Sequence, residues 1–242
     1  MKTVGLIGGI GPESTIEYYR LIVARYRERQ SGIVTDEQAA PATSYPSIII
    51  NSVDLNQLLG WITANELNAF TDYLAEAIER LALAGVDFAA LAANTPHIVF
   101  DELRQRSSIP LISIVESARD AALALGMKRI GLFGTRFTMQ GRFYPDVFAR
   151  AGLNIIVPRE DEQDYIHEKY LGELLKDIFR PETHDRLLTI VNQMKEREGI
   201  EGLILGGTEL PLILREVEHN GVPFLDTTRI HVERIVAELL GG

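Results

Sequence analysis

The chain contains the stretch Leu203-Ile204-Leu205-Gly206-Gly207-Thr208-Glu209-Leu210, and an earlier stretch, Phe88-Ala89-Ala90-Leu91-Ala92-Ala93-Asn94-Thr95-Pro96-His97, has the same design. Each begins with an apolar run as long as a buried strand and then stops in small, hydrogen-bonding residues. In an open α/β sheet, strand ends of this kind face a ligand. Two such endings in one chain predict a single cleft that is built from two halves.

An internal repeat extends this prediction to the whole chain. Residues 129–135, Arg-Ile-Gly-Leu-Phe-Gly-Thr, echo residues 3–9, Thr-Val-Gly-Leu-Ile-Gly-Gly. The offset is far longer than the roughly 20 to 50 residues of a solenoid repeat, and it indicates two copies of one βα architecture. Alternating strand and helix patterns predict a mainly parallel sheet in each copy. The predicted fold class is α/β, with two pseudo-symmetric parallel-sheet domains and the active-site cleft between them.

Local patterns place the connecting elements. The spacing of apolar residues and the helix-breaking residues predict a helix from Thr95 to Arg106, an acidic loop from Pro158 to Gln163, a helix from Tyr165 to Phe179, and a terminal helix that starts at Thr227 or Thr228 and ends at Leu240.

Composition excludes several classes of function. The net charge of −10 argues against binding to nucleic acid, because neutralising phosphates requires a basic surface. No apolar run reaches the roughly 20 residues that a membrane-spanning helix needs, and the N-terminus does not resemble a signal peptide, so we expect a cytoplasmic protein. The chain has no cysteine, which excludes disulfides, thiolate-zinc sites and cysteine nucleophiles. We expect no metal, because the histidines lack metal-binding spacing.

Three motifs carry a family resemblance. They are Val4-Gly5-Leu6-Ile7-Gly8-Gly9-Ile10-Gly11-Pro12-Glu13-Ser14-Thr15, Ala93-Asn94-Thr95-Pro96-His97 and Gly206-Gly207-Thr208-Glu209. In this order and spacing they resemble the signatures of the cofactor-independent aspartate/glutamate racemase family, over nearly the whole chain. Family racemases typically place a cysteine before the Asn-Thr of the first strand ending, before the Thr-Glu of the second, or both. Ala93 and Gly207 stand at those positions here.

The resemblance implies a fold, a ligand and a reaction. The terminal helix would return to the first domain, so that residues 1–115 with 226–242 form one domain and residues 116–225 the other. The ligand would be a small carboxylate or amino acid, no cofactor would be needed, and a homodimer would be compatible with the family. The reaction would remove an α-proton by one thiol(ate) and return a proton to the opposite face by the other. Ala93 and Gly207 carry no ionisable group, so a two-thiol mechanism is excluded.

Three explanations of the missing cysteines stay open. Other titratable side chains can have taken over, and the candidates are His97, Glu209, His167 and Lys169. The protein can instead catalyse a related reaction, such as a decarboxylation or another lyase or isomerase step, or bind its ligand without reacting. The cysteines can also have been removed by engineering. The protein is thus predicted to be a cofactor-independent amino-acid racemase or isomerase with a non-cysteine site, and a silent binding homologue or a decarboxylase is the alternative.

Small polar groups at the strand ends are the predicted substrate-binding residues. Asn94, Thr95 and Thr208 can hold a carboxylate by charge-assisted hydrogen bonds, with Thr135 as a weaker member of the set. The turn that contains Gly9 offers backbone N–H groups at the start of a helix. Each candidate has a structural alternative: helix capping for the polar residues and Glu209, a plain turn for Gly9, a structural hydrogen bond for His97, and a solvated helix face for His167 and Lys169.

Overall fold

The structure is a computed structural model that describes residues 2–31 and 45–241, and these form two compact units. The first unit comprises the described residues within Met1–Ala92, Val99–Ser113 and His231–Gly242. The second comprises Ala93–Ile98 and Ile114–Ile230. The domain limits that the sequence suggested, at residues 115/116 and 225/226, stay a prediction.

The first unit is built on a parallel sheet. Its described residues form four strands in the order β2-β1-β3-β4, and every pairing is parallel. The elements from the N-terminus to the end of this sheet are β1 (Thr3–Gly8), α1 (Pro12–Ser31), β2 (Ser47–Ser52), α2 (Leu55–Thr63), α3 (Leu67–Leu83), β3 (Phe88–Leu91), a 3-10 turn (Thr95–Val99), α4 (Phe100–Arg106) and β4 (Leu111–Ile112).

The second unit repeats that sheet and adds a hairpin strand. Its described residues form five strands in the order β6-β5-β7-β9-β8, parallel except for the antiparallel β8-β9 pair. The elements that follow β4 in the chain are α5 (Ile114–Ala124), β5 (Arg129–Gly134), α6 (Arg136–Gln140), α7 (Phe143–Ala149), β6 (Asn154–Ile156), α8 (Glu160–Gly172), a 3-10 turn (Leu174–Lys176), α9 (Pro181–Glu198), β7 (Gly202–Gly206), α10 (Leu210–Ile213), β8 (Glu218–His219), β9 (Val222–Asp226) and α11 (Thr227–Leu240). The residues of α11 from His231 onward belong to the first unit.

The internal repeat appears in the structure as matching strands. Strand β1 spans Thr3–Gly8 and β5 spans Arg129–Gly134, which are the two segments whose sequences echo each other. Each of these strands takes the same place in its own sheet, second from one edge. The fold is therefore α/β with two similar parallel-sheet domains, as the sequence predicts.

Burial on both faces explains the nearly continuous apolar strands of the second unit. Along β5, Phe133 packs into a cluster with residues of α8 and α9, whereas Ile130 and Leu132 pack with residues of α5 and α7. Successive side chains of a strand point to opposite faces of the sheet, so both faces are covered. The sequence reads as a run of apolar residues for this reason.

Three local predictions need correction. The helix expected from Tyr165 to Phe179 is wrong in its bounds, because α8 spans Glu160–Gly172 and Asp177 has a left-handed backbone conformation. The acidic loop expected at Pro158 to Gln163 is wrong, because α8 already begins at Glu160. The carboxylate of Glu162 accepts a hydrogen bond from the Arg159 N–H, and acidic residues suit the first turn of a helix. The segment from Thr95 is not one helix but a 3-10 turn followed by α4. The terminal helix from Thr227 to Leu240 is confirmed.

A buried histidine joins the terminal helix to the rest of the first unit. His231 is fully buried, and its Nδ1 lies 2.9 Å from the Tyr18 hydroxyl while its Nε2 lies 3.1 Å from the Ile112 carbonyl oxygen. The carbonyl only accepts, so Nε2 carries the proton and the tyrosine donates to Nδ1. Burial lowers the pKa of His231 from the usual 6.5 to about 4.

We predict that His231 makes the protein less stable in acid. A folded-state pKa below the unfolded value gives stability that is complete above about pH 6.5 and is lost as the pH falls toward 4. Between pH 7.5 and 4.5 this loss is about 2.5 kcal/mol for the free energy of unfolding. Urea denaturation of the wild type and of His231→Gln at both pH values measures it. The wild type should lose about 2.5 kcal/mol more than the variant, and equal losses would contradict the prediction.

Candidate functional site

Asn94 is the centre of a buried hydrogen-bond network in the second unit. The Tyr144 hydroxyl donates to Asn94 Oδ1 over 2.6 Å, and Asn94 Nδ2 donates to Thr227 Oγ1 over 3.2 Å. Thr227 in turn donates to the Leu205 carbonyl over 2.8 Å. Burial raises the pKa of Tyr144, so its hydroxyl remains a neutral donor. The first polar motif is thereby fixed to β7, the strand that leads into Gly207 and the second motif.

Three threonine hydroxyls lie in a row beside this network. The hydroxyl oxygens of Thr95 and Thr138 are 3.5 Å apart, and those of Thr135 and Thr138 are 3.3 Å apart. Thr135 also caps α6, since its side chain accepts from the Thr138 N–H. The structure thus brings together two predicted binding residues, Thr95 and Thr135, through a third residue that the sequence did not single out. Rotatable hydroxyls of this kind can donate to a carboxylate.

Glu209 pairs with a tyrosine on α8. The Tyr170 hydroxyl donates to Glu209 Oε2, and the Thr208 hydroxyl donates to the same oxygen over 2.8 Å. Glu209 and Tyr170 are 6% and 5% exposed. Burial, with the neighbouring Glu209 carboxylate as the second cause, raises the pKa of Tyr170 well above its usual value. The tyrosine is therefore a neutral phenol at physiological pH.

The phenol of Tyr170 occupies the space in which a side chain at position 207 would begin. A Cβ added to Gly207 would lie 2.4 Å from Cε2, 2.5 Å from the hydroxyl oxygen and 2.8 Å from Cζ of Tyr170. Contacts this short do not occur between real carbon atoms, so a side chain at 207 requires the ring to move. The glycine at the second family cysteine position is thus matched by a tyrosine that fills the vacated volume.

His97 is held by backbone groups on both ring nitrogens. Its Nδ1 lies 3.1 Å from the Ala93 carbonyl, and its Nε2 accepts from the Ile114 N–H over 3.2 Å. The carbonyl only accepts and the amide only donates, so the ring is neutral with its proton on Nδ1. The side chain is 3% exposed. While both bonds are in place, neither nitrogen is available to exchange a proton with a ligand. A catalytic role for His97 stays an untested prediction.

His167 and Lys169 lie on α8 in different surroundings. His167 Nδ1 accepts from the Arg136 N–H over 3.2 Å, next to the capping Thr135. Burial, followed by the charge of Arg136, lowers the pKa of His167, which keeps the ring neutral. Lys169 donates to Glu173 over 2.6 Å, and this hydrogen bond raises the pKa of the amine. A proton held in this way makes Lys169 a poor base. The lowered pKa and the hydrogen bond at Nδ1 make His167 a poor base as well, so catalytic roles for both residues stay predictions.

Gly9 has a clear structural function in the first unit. Its φ of +83° and the 2.3 Å that would separate an added Cβ from the Val53 carbonyl oxygen allow only glycine. Its N–H donates to Thr15 Oγ1 over 2.8 Å. The turn therefore uses this N–H internally, and ligand binding by Gly9 stays a prediction.

The sequence missed four residues that organise this site: Tyr144, Thr138, Tyr170 and Thr227. Tyr170 falls on the buried face of α8, four positions after Ile166, and this spacing is typical of a core residue. The one available signal is the glycine at position 207, because a missing side chain in a packed interior must be compensated by a larger neighbour.

Neither a metal-binding cluster nor a membrane-spanning helix is present in the described residues. Residues 2–31 and 45–241 contain no group of three or more His, Cys, Asp or Glu side chains arranged to hold a metal ion. None of the helices in those two segments is long and apolar enough to cross a membrane.

Comparison with known proteins defines the class. The family model for Asp/Glu/hydantoin racemases matches residues 7–235, so the chain belongs to the Asp/Glu/hydantoin racemase family. It is a member without cysteine.

Three related proteins are similar to this chain over nearly its whole length. A candidate Asp/Glu racemase from Yersinia pestis is similar with a TM-score of 0.84 and 28% identity, over 99% of this chain and 100% of that one. An aspartate racemase homologue from Pyrococcus horikoshii OT3 has a TM-score of 0.79 and 31% identity over the whole of both chains. The broad-specificity amino-acid racemase RacX of Bacillus subtilis (strain 168) is 24% identical over 98% of each chain.

We predict that Gly207→Ala destabilises the protein through Tyr170. The new methyl group would displace the phenol ring and cost about 1–3 kcal/mol in the free energy of unfolding. In a Tyr170→Leu background the same substitution should cost less than about half as much, because the ring is gone. Denaturant unfolding of the four proteins in this double-mutant cycle gives the coupling.

Gly60→Ala is the matched control for this cycle. Gly60 lies inside α2, and an added Cβ would have nothing within 4 Å. That variant should be neutral or more stable by up to about 1 kcal/mol, as expected for glycine in a helix interior. An equal cost of Gly207→Ala with and without the Tyr170 ring would show that the ring does not fill this space.

Proposed function

We propose that the protein is a cofactor-independent amino-acid racemase or isomerase that binds a small amino acid or related carboxylate and uses a non-cysteine site. The observation that carries the proposal is the relay from Asn94 through Thr227 to Leu205. It fixes the Ala93-Asn94-Thr95-Pro96-His97 motif to the strand that leads into the Gly206-Gly207-Thr208-Glu209 motif. Because the network ends at the residue before Gly206, we infer that both motifs can contact one small ligand. Family membership and the likeness to a broad-specificity racemase support the same ligand class.

The chemistry of the cluster suits a single carboxylate. The hydroxyl groups of Thr95 and Thr135 supply donors without a fixed charge, and Thr208 can add a third by giving up its hydrogen bond to Glu209. Charged acceptors strengthen such bonds about two-fold relative to neutral ones. The cation that follows Thr135 in the chain, Arg136, donates to Asp164 over 2.8 Å. A second carboxylate on the ligand would compete with Asp164 for this arginine. We therefore infer that neutral amino acids are better ligands than aspartate or glutamate.

A second candidate is ligand binding without reaction. Ala93 and Gly207 cannot transfer protons, and both ring nitrogens of His97 are engaged by the backbone. These observations favour a silent homologue that retains the family's binding residues. Hydrogen exchange at the α-carbon separates the two candidates, because only the reactive protein can break the Cα–H bond.

The experiment is incubation of the purified protein with D- and L-amino acids in deuterated water. We predict that at least one neutral amino acid raises the melting temperature and acquires deuterium at Cα, as measured by thermal unfolding and by proton NMR. Racemisation accompanying the exchange supports the racemase assignment. A rise in melting temperature without exchange favours the silent homologue, and no rise with any amino acid or small carboxylate would contradict both.

Thr95→Val tests the location of the site. Valine keeps the shape of threonine but removes the hydroxyl donor, so ligand affinity should fall by about 10-fold or more. Thr189→Val is the control, because Thr189 is an exposed residue of α9 in the same unit, and its hydroxyl donates to the Asp185 carbonyl. Equal affinities of the two variants would place the ligand elsewhere.

A further inference from the structure

We propose that the Tyr170 hydroxyl, backed by the Glu209 carboxylate, is the proton-transfer group that stands in for the thiol absent at position 207. The inference rests on the proposed function, because it requires a ligand at the Gly206-Gly207-Thr208-Glu209 motif. It deepens that proposal by assigning the reaction to a pair that includes a residue the sequence motifs do not contain.

The Tyr170 hydroxyl lies next to the position of a side chain at 207. The hydroxyl oxygen of Tyr170 would lie 2.5 Å from a Cβ at position 207. A cysteine there would project its sulfur from that same Cβ, so the phenol oxygen and such a thiol would be attached to or near the same point in the structure. The place of the family's second thiol is thus taken by a titratable group rather than by an apolar side chain.

The Tyr170 hydroxyl is also paired with the carboxylate of Glu209. A neutral phenol alone is a poor base, yet Tyr170 donates to Glu209 Oε2, a buried carboxylate that also accepts from Thr208. The negative charge next to the phenol opposes its ionisation, so a proton arriving at the phenol oxygen is matched by one leaving along the existing hydrogen bond. The two residues can act together as a base although neither is a thiolate.

Two coupled proton transfers make up the proposed step. The Cα–H bond of the amino acid breaks, its electron pair stays on the substrate as an enediolate, and the proton bonds to the Tyr170 oxygen. At the same time the phenol's own proton moves to Glu209 Oε2, which becomes a neutral carboxylic acid. Reversal of these transfers returns a proton to Cα, and exchange of the Glu209 proton with solvent makes the returned atom a deuteron in deuterated water. Tyr170 is the catalytic residue in this scheme and Glu209 its proton acceptor.

The experiment compares Tyr170→Phe with the wild type in deuterated water, using the neutral amino acid that the wild type binds best. Phenylalanine keeps the ring that packs against Gly207 and removes only the hydroxyl. We predict a loss of α-exchange of about 100-fold or more, while the rise in melting temperature with ligand is retained. Glu209→Gln should lose exchange to a similar degree, because an amide does not accept the relayed proton.

Tyr165→Phe is the matched control, since Tyr165 lies on the same helix and its ring is half-buried. It should keep the wild-type exchange rate. Exchange that persists in Tyr170→Phe would overturn the inference and leave the proposed racemase or isomerase function standing. Ligand binding by the wild type without any exchange would overturn the inference and favour the silent binding homologue. Failure of every amino acid and small carboxylate to bind the wild type would instead overturn the proposed function and the inference together.

Discussion

The arrangement of Tyr170 and Glu209 at the end of β7 depends on the absence of a side chain at Gly207. Interiors are packed too tightly to leave such a space empty, and here the ring of Tyr170 fills it. That contact sets the position of the phenol, and the phenol in turn fixes the Glu209 carboxylate through a hydrogen bond. The glycine at this position is therefore accompanied by a polar group from the neighbouring helix, which takes the place of a side chain at 207.

Within the second unit, Asn94 is tied to the carboxyl end of β7 by side chains rather than by backbone pairing. Asn94 receives a hydrogen bond from Tyr144 and gives one to Thr227, whose hydroxyl reaches the carbonyl of Leu205. Every one of these groups is buried, so each bond protects polar atoms that would be costly to leave unsatisfied. The same network that stabilises the second unit therefore also fixes Asn94 to the strand that leads into Gly207.

The sequence predicted the architecture well because the fold rests on periodic signals. Apolar strands such as Val4 to Ile7, and the echo between β1 and β5, follow from burial and duplication, which leave regular patterns. The start of α8 was missed, because acidic residues near Glu160 fit a loop as well as a first helical turn. The partners of the motif residues could not be predicted, since Tyr170, Tyr144 and Thr227 come from distant elements and each is also an ordinary core or cap residue. The family resemblance identifies the motifs, whereas the side chains that contact them are visible only in the structure.

The most direct test is a crystal structure of the protein with the amino acid that binds it most tightly. We predict the ligand carboxylate beside the Thr208 hydroxyl and the α-carbon about 3–4 Å from the Tyr170 hydroxyl oxygen, a distance suited to direct proton transfer. A ligand bound away from Thr208, or a Tyr170 ring that has left the face of Gly207 and points its hydroxyl elsewhere, would contradict this prediction.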